Sequence, residues 1–272
     1  MIIQHNMPAA NTNRQLGITN SSLSKSTEKL SSGYRVNRAA DDAAGLSISE
    51  KMRGQIRGLN QASTNAQDGI SLIQTAEGAL NEVHSVLQRM RELTVQAAND
   101  TYVSADRAAI GEELDQLQQE ITRIGDTTEF NTMKLLNGSF AGKYFQIGAN
   151  TAQDISLTIS SVSADVLGVA EAKDNVVDHE TATNYISTVN AALTTVSTTR
   201  SKLGAVQNRL EHTIANLDNT SENLQSAESR IRDVNMADEM VNYSKDTILQ
   251  QAAQSMLAQA NQQTQGVLAL LQ

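Results

Sequence analysis

The chain has 272 residues, a formal charge of −9, 3% aromatic residues, one proline and neither cysteine nor tryptophan, so disulfides, thiolate chemistry and cysteine-held metals are excluded and any core is aliphatic. Lysine and arginine are scattered rather than gathered into a stripe, which argues against a nucleic-acid partner, because phosphate neutralisation needs clustered cations. No apolar run approaches the ~18–20 residues of a membrane span, and the opening MIIQHNMPAANTNRQ has neither a basic n-region nor a continuous apolar segment, so neither membrane insertion nor general secretory export is expected.

With Pro8 as the sole proline and abundant Ala, Gln, Leu and Glu, helices far longer than the globular mean of about 11–12 residues are permitted. Residues 1–32 are rich in Asn, Ser and Thr and carry Leu16, Leu23 and Leu30 at heptad spacing. That stripe alone is too thin to offset an ordering cost of roughly 1–2 kcal/mol per residue, so this end is predicted to fray in free solution. In NRAADDAAGLSISEKM, Asp41 and Asp42 stand just before a long helical pattern. Carboxylates there favour the positive end of the helix dipole by about 0.3–1 kcal/mol each, and we read them as capping groups rather than a catalytic pair.

The next helix repeats Met52, Leu59, Ala66, Ile73, Leu80 and Leu87 at seven-residue steps, widened by Ile56, Ile70, Val83 and Met90. A straight helix of 3.6 residues per turn would let such a row drift off its face, so the row demands a partner helix. In LQRMRELTVQAAND, Leu87, Met90 and Thr94 share the core stripe, whereas Arg89, Leu93 and Gln96 fall roughly 80–140° from its centre. Leu93 is therefore expected off the core. From Ser104 to Gly125 a third amphipathic helix places Ile110, Leu114, Leu117, Ile121 and Ile124 at steps of three and four.

Between Thr128 and Val169 the pattern changes. KLLNGSF carries an Asn-Gly turn signal and DISLTIS alternates at period two, which predicts a small β-hairpin region lying on the bundle. Residues 170–183 read as a polar, turn-like loop. The chain then returns as helix: Val189, Val196, Leu203, Leu210, Leu217, Leu224 and Ile231 keep an unbroken heptad row, while Arg200, Gln207, Ser221 and Glu228 occupy the positions of a second apolar row and mark a face that meets water or polar neighbours. The last segment, from Thr247 to Gln272, contains no ionisable side chain, with Leu249, Ala253, Met256, Leu257 and Ala260 expected on one side and Leu268 and Leu271 near its end. It too requires a cover. The fold class is mainly α, a long antiparallel helical hairpin and coiled-coil bundle with a β-hairpin region at about 128–169 and both termini at one end.

Constellations for catalysis are scarce. His5, His84, His179 and His212 are far apart, and HETAT at 179–183 has Thr183 where a zinc-protease helix needs its second histidine. Gly33, Gly45, Gly54 and Gly58 stand singly among helix formers, without the strand-turn-helix context of a phosphate loop. No metal, cofactor or enzymatic activity is expected.

Residues 28–100, EKLSSGYRVNRAADDAAGLSISEKMRGQIRGLNQASTNAQDGISLIQTAEGALNEVHSVLQRMRELTVQAAND, resemble the N-terminal half of bacterial flagellin, and SKLGAVQNRLEHTIANLDNTSENLQSAESRIRDVNMADEM with SMLAQANQQTQGVLALLQ resembles its C-terminal half. The likeness spans roughly 1–150 and 185–272, two blocks in order, and the short middle resembles forms without outer variable domains. Tyr34 stands where leucine is usual, Asn235 where aspartate is common and Thr264 in place of a frequent proline. The resemblance implies a secreted homopolymer subunit of the flagellar filament, exported by the type III route. It implies an export chaperone at the C-terminus, filament cap and hook-junction proteins as partners, and recognition by the innate immune flagellin receptor. It also implies an assembly domain of 1–44 with 236–272, whose terminal helices pair into a coiled coil lining an inner tube through Leu16, Leu23, Leu30, Leu249, Ala253, Met256, Leu257, Leu268 and Leu271, and a rod of 45–235. Arg89, Leu93 and Glu113 match the surface that the receptor contacts and that packs between subunits. A hook–filament junction protein is the nearest alternative; a membrane-active secreted protein would show a longer apolar run or a basic polar face.

Overall fold

The structure is a computed structural model that describes residues 5–269, with side chains described through Gln263. Leu271 and the side chain of Leu268 lie outside the described residues. In chain order the elements are α1 (Met7–Ser32), α2 (Ala43–Ala97), α3 (Ser104–Thr127), β1 (Glu129–Phe130), β2 (Met133–Lys134), β3 (Lys143–Gln146), β4 (Asp154–Leu157), α4 (Ala164–Leu167), a 3₁₀ turn (Asp174–Val176), α5 (His179–Arg232) and α6 (Met236–Ala269). The chain divides into two compact units: a central one, Gln55–Ser221, and a terminal one that takes the chain up to Gly54 and from Glu222 onwards.

In the central unit α2 and α5 run antiparallel. Ser63 Oγ donates to Asp218 Oδ1 at 3.2 Å, and further along Arg200 pairs with Glu77 at 3.5 Å. The predicted heptad rows meet between them: Leu59, Ile73, Leu80, Leu87, Val189, Val196, Leu203, Leu210 and Leu217 are buried. Leu224 and Ile231, beyond this unit, are half-buried. Ile110, Leu114 and Ile121 of α3 complete a three-helix core. Each fully buried Leu or Ile contributes about 2 kcal/mol relative to exposure.

The end of α2 is closed by side chains from elsewhere. Arg107, with only 13% of its side chain exposed, donates from Nε to the Ala97 carbonyl at 3.0 Å and pairs with Asp100 at 2.9 Å. A cation at a helix C-terminus satisfies orphan carbonyls and opposes the negative end of the dipole.

The expected β-hairpin region holds two hairpins. In β1–β2, Phe130 pairs with Met133, leaving the two-residue loop Asn131–Thr132, both with positive φ (48° and 65°), as a twist-matched hairpin turn requires. The Asn-Gly signal falls elsewhere. Gly138 does adopt a positive φ of 85°, but it turns the chain just after Leu135 and Leu136, both fully buried. In β3–β4 the register runs from Lys143↔Leu157 to Gln146↔Asp154, and the period-two reading holds: Ile155, Leu157 and Ile159 point inward and are buried. This hairpin lies on α2, where Asn65 Nδ2 donates to the Gln146 carbonyl at 3.2 Å. At Gly58 a Cβ would stand 2.9 Å from the Ala149 Cβ, so the missing side chain is what lets the hairpin loop approach the helix.

The expected loop at 170–183 is corrected. Val169, Ala172 and Val176 are fully or almost fully buried, the 3₁₀ turn packs against α3, and α5 already begins at His179. Spacing of three and four places these few apolar residues inward, while the polar ones between them dominate the composition. Tyr185 of α5 is buried and its hydroxyl donates to the Val169 carbonyl at 2.9 Å.

In the terminal unit α1 starts at an Asn6 cap whose Oδ1 accepts from the Ala9 N–H, has Pro8 in its first turn, and stops at Gly33 in the left-handed region, φ 76°. It packs along α6 in antiparallel sense: Asn6 Nδ2 donates to the Ala260 carbonyl at 3.0 Å, and Gln250 Nε2 to Asn20 Oδ1 at 2.8 Å. The seam is thin. Ala9, Thr12, Leu16, Thr19, Leu23 and Leu30 of α1 and Tyr243, Thr247, Gln250, Ala253, Leu257 and Ala260 of α6 are half-buried, with Ser26 buried. The hydroxyls of Thr12, Thr19 and Thr247 turn back onto the carbonyls of Pro8, Gln15 and Tyr243. Leu249 and Met256 are not on this side as expected; they are 46% and 62% exposed. The seam's phase runs 243, 247, 250, 253, 257, 260, so each of them sits one residue, about 100°, away.

Candidate functional site

Among the described residues no group of three or more His, Asp or Glu side chains converges to hold a metal ion, and no helix is long and apolar enough to cross a membrane. The polar groups that invite a catalytic reading have structural work. Asp42 Oδ1 accepts from the Gly45 N–H at 2.8 Å at the start of α2. Asp41 Oδ2 accepts from the N–H groups of Arg38 and Asn37 at 3.0 and 3.2 Å, and these bonds, Arg38 first, hold its carboxyl below the usual aspartate range. His84 meets Gln88 one turn away, and His179 meets the Ala98 carbonyl.

One surface lies where α2 and α3 run side by side. Arg89 forks onto Glu113, with Nε at 3.1 Å and a terminal nitrogen at 2.9 Å from Oε1, and its other terminal nitrogen reaches Glu92 at 3.3 Å. The guanidinium is held further above its ordinary pKa by the Glu113 bond first, then Glu92. At about half exposure the pair adds little stability; the arrangement is a surface cation held between two anions. Sequence reasoning singled out Arg89 and Glu113 and missed Glu92, which follows Arg89 by three residues, the spacing that makes helix neighbours. Leu93 does not join them. It is 2% exposed and belongs to the core with Met90 and Ala97: with α5 on one side and α3 on the other, α2 buries a wider arc than a single stripe.

The second surface is the outside of the terminal pair. Met7 and Ile18 on α1 and Met236, Met240, Val241, Ile248, Leu249 and Met256 on α6 are large, apolar and exposed. Inside this unit Val36 is the only buried apolar residue among those described. Residues 3–141 match the model of the bacterial flagellin N-terminal helical region and residues 186–271 that of the bacterial flagellin C-terminal helical region. Over 271 residues, covering 100% of both chains, the sequence is 59% identical to a flagellin of Halalkalibacterium halodurans.

The chain belongs to the bacterial flagellin family. It is also 51% identical over 303 residues to a flagellin of Bacillus subtilis, again with both chains fully covered. A putative flagellar hook-associated protein from Vibrio parahaemolyticus superposes with a TM-score of 0.57 over 71% of this chain and 98% of its own, but at 13% identity, which is likeness of fold alone. Full-length identity above one half sets the chain with flagellins rather than with hook-junction proteins. As a flagellin it is a structural subunit that self-assembles into the extracellular flagellar filament.

Proposed function

We propose that the terminal helix pair is the flagellin's assembly element, with residues 1–44 and 236–272 forming the inner wall of the filament tube, and that the remaining chain, 45–235, forms the rod. The observation that carries this is the set of large apolar side chains exposed on α6, including Leu249 and Met256, on a segment without an ionisable side chain after Asp246. Several large apolar side chains left exposed along one helix mark a surface destined for burial. A charge there would be desolvated in every subunit without an opposite partner, whereas glutamine stays neutral and still bonds to neighbours or channel water. A single thin seam barely offsets the ordering of some sixty residues at roughly 1–2 kcal/mol each, so ordering of the ends is coupled to polymerisation. Before that the same surface is what an export chaperone would hold, and at the two ends of the filament what cap and hook-junction proteins would meet.

Deleting residues 254–272 tests the assignment. The main melting transition of the monomer should persist while elongation from filament seeds stops; elongation at the parent rate by the truncated chain defeats it. The Arg89–Glu113 display is the surface we assign to the innate immune flagellin receptor, with Leu93 as support beneath it rather than as a contact. Replacing Arg89 and Glu113 together by alanine should reduce signalling by free monomer at unchanged helicity, and an undiminished response would remove the assignment.

A further inference from the structure

Where α1 gives way to α2 and α5 to α6, the two interruptions lie against each other. The Arg35 N–H donates to the Arg232 carbonyl at 2.6 Å and the Val234 N–H to the Gly33 carbonyl at 3.0 Å, and Tyr34 and Asp233 form an isolated antiparallel bridge. The Arg35 guanidinium donates to the Ile231 carbonyl at 2.6 Å, closing the end of α5. Arg232 is 13% exposed; its guanidinium stands 4.7 Å from the centre of the Tyr34 ring and pairs with Glu50 of α2 at 2.9 Å. A largely buried cation held by both a ring face and a carboxylate gives up both partners when it leaves.

Beyond this point the register is marked by polar contacts that are not fully buried, Asn6 with the Ala260 carbonyl and Gln250 with Asn20. Leu16, Leu23 and Leu30 map onto one another when α1 slides by seven residues, about 10 Å, and Tyr243, Gln250 and Leu257 on the half-buried side of α6 repeat at the same seven-residue step, among the small or polar Thr247, Ala253 and Ala260. The ten-residue connection Gly33–Asp42 could span up to ~33 Å if extended, so covalent continuity does not forbid the slide. We infer that the Tyr34–Arg232–Glu50 clasp is a register lock, which fixes α1 against α6 at a single one of several nearly equivalent heptad settings. This goes beyond the assembly reading, on which it rests only in taking α1 and α6 to be paired within a subunit of the filament.

The absence of native cysteine makes the test direct. Full-length chains carrying Asn20→Cys with Gln250→Cys, Tyr243→Cys or Leu257→Cys are polymerised from parent seeds and oxidised, and intrachain disulfides are separated from interchain ones on non-reducing gels. With the clasp intact, cross-linking should concentrate on the 20–250 pair. Adding Arg232→Met should move the ratio of 20–250 to the shifted pairs by about five-fold or more toward the latter, the scale of one cation–π contact, and Arg232→Lys should restore part of it. Tyr34→Leu, which keeps bulk and removes the ring face, gives the same readout should Arg232→Met fail to polymerise. A parent that cross-links equally in all three settings, or variants that keep the parent's ratio, overturns the lock. A parent with no intrachain cross-link in any setting overturns the pairing and the lock together, and so separates the failure of the assembly reading from that of the clasp alone.

Discussion

The central unit and the terminal unit are built from the same helical grammar, and they differ in what fills the seam. In the central unit Ile73, Leu80, Leu87, Leu203 and Leu210 are all essentially without exposure, and three helices with two hairpins close over them. In the terminal unit the seam mixes leucine and one tyrosine with Ser, Thr, Ala and Gln, nearly all of them only half-buried, and other large apolar residues face outward. Heptad spacing alone therefore does not make an independently stable coiled coil; the residues at the spacing decide whether the partner is already in the chain or must be supplied by other copies.

Four substitutions sharpen this contrast. Leu210→Asp should have the largest effect, since it sets an unpaired carboxylate in the dry seam between α2 and α5 and costs about 3–5 kcal/mol; circular dichroism should show lost helicity and a much lower Tm, and a parent-like melt would defeat the packing. Leu93→Ala follows, at about 2–4 kcal/mol for a buried leucine truncated in a filled core. It should lower the melting temperature of the free monomer, whereas a purely surface leucine would leave it unchanged.

Tyr185→Phe removes one buried hydrogen bond and should cost about 1 kcal/mol. Burial raises the Tyr185 hydroxyl pKa above its usual value. The unfolded chain therefore loses this proton near pH 10 while the folded one retains it, and the native state binds more protons. The contribution is fully present below about pH 10 and is lost as pH rises further, so parent and Tyr185→Phe stabilities should converge on alkaline titration. Met256→Asp should have the smallest effect on the monomer, within about 0.5 kcal/mol at an exposed site, yet should abolish seeded elongation. A destabilised monomer there would show that α6 already has a cover.

Much of this was legible because burial on a heptad row leaves a long, redundant imprint: no single residue of Val189 to Leu217 carries the reading, and the row survives several polar neighbours. Where one residue or a few had to carry a reading, it failed. Leu93 was misplaced because an angle on a helical wheel assumes one buried face, whereas α2 is covered from two sides. Leu249 and Met256 were misplaced by one position because, in a segment where apolar and glutamine residues alternate all round, the stripe has no phase of its own until α1 supplies it. The Asn137–Gly138 turn signal is legible because glycine advertises positive φ, and Gly138 adopts it, whereas the positive φ of Asn131 and Thr132 has no glycine to announce it. In the candidate site, Arg89 and Glu113 entered through family likeness. Their bond joins two helices, and no local pattern in either helix announces a partner 24 positions away.

The threonines of the terminal seam lead to a different view of its chemistry. Because Thr12, Thr19 and Thr247 donate their hydroxyls to carbonyls of their own helices, those hydroxyls need no acceptor on the facing helix. Hydropathy scales count these residues as hydrophilic, yet at the contact they behave as short valines that remain soluble when uncovered. A chain composed this way can cross water unaggregated and still find a dry partner at its destination, wetting and dewetting without any change in charge.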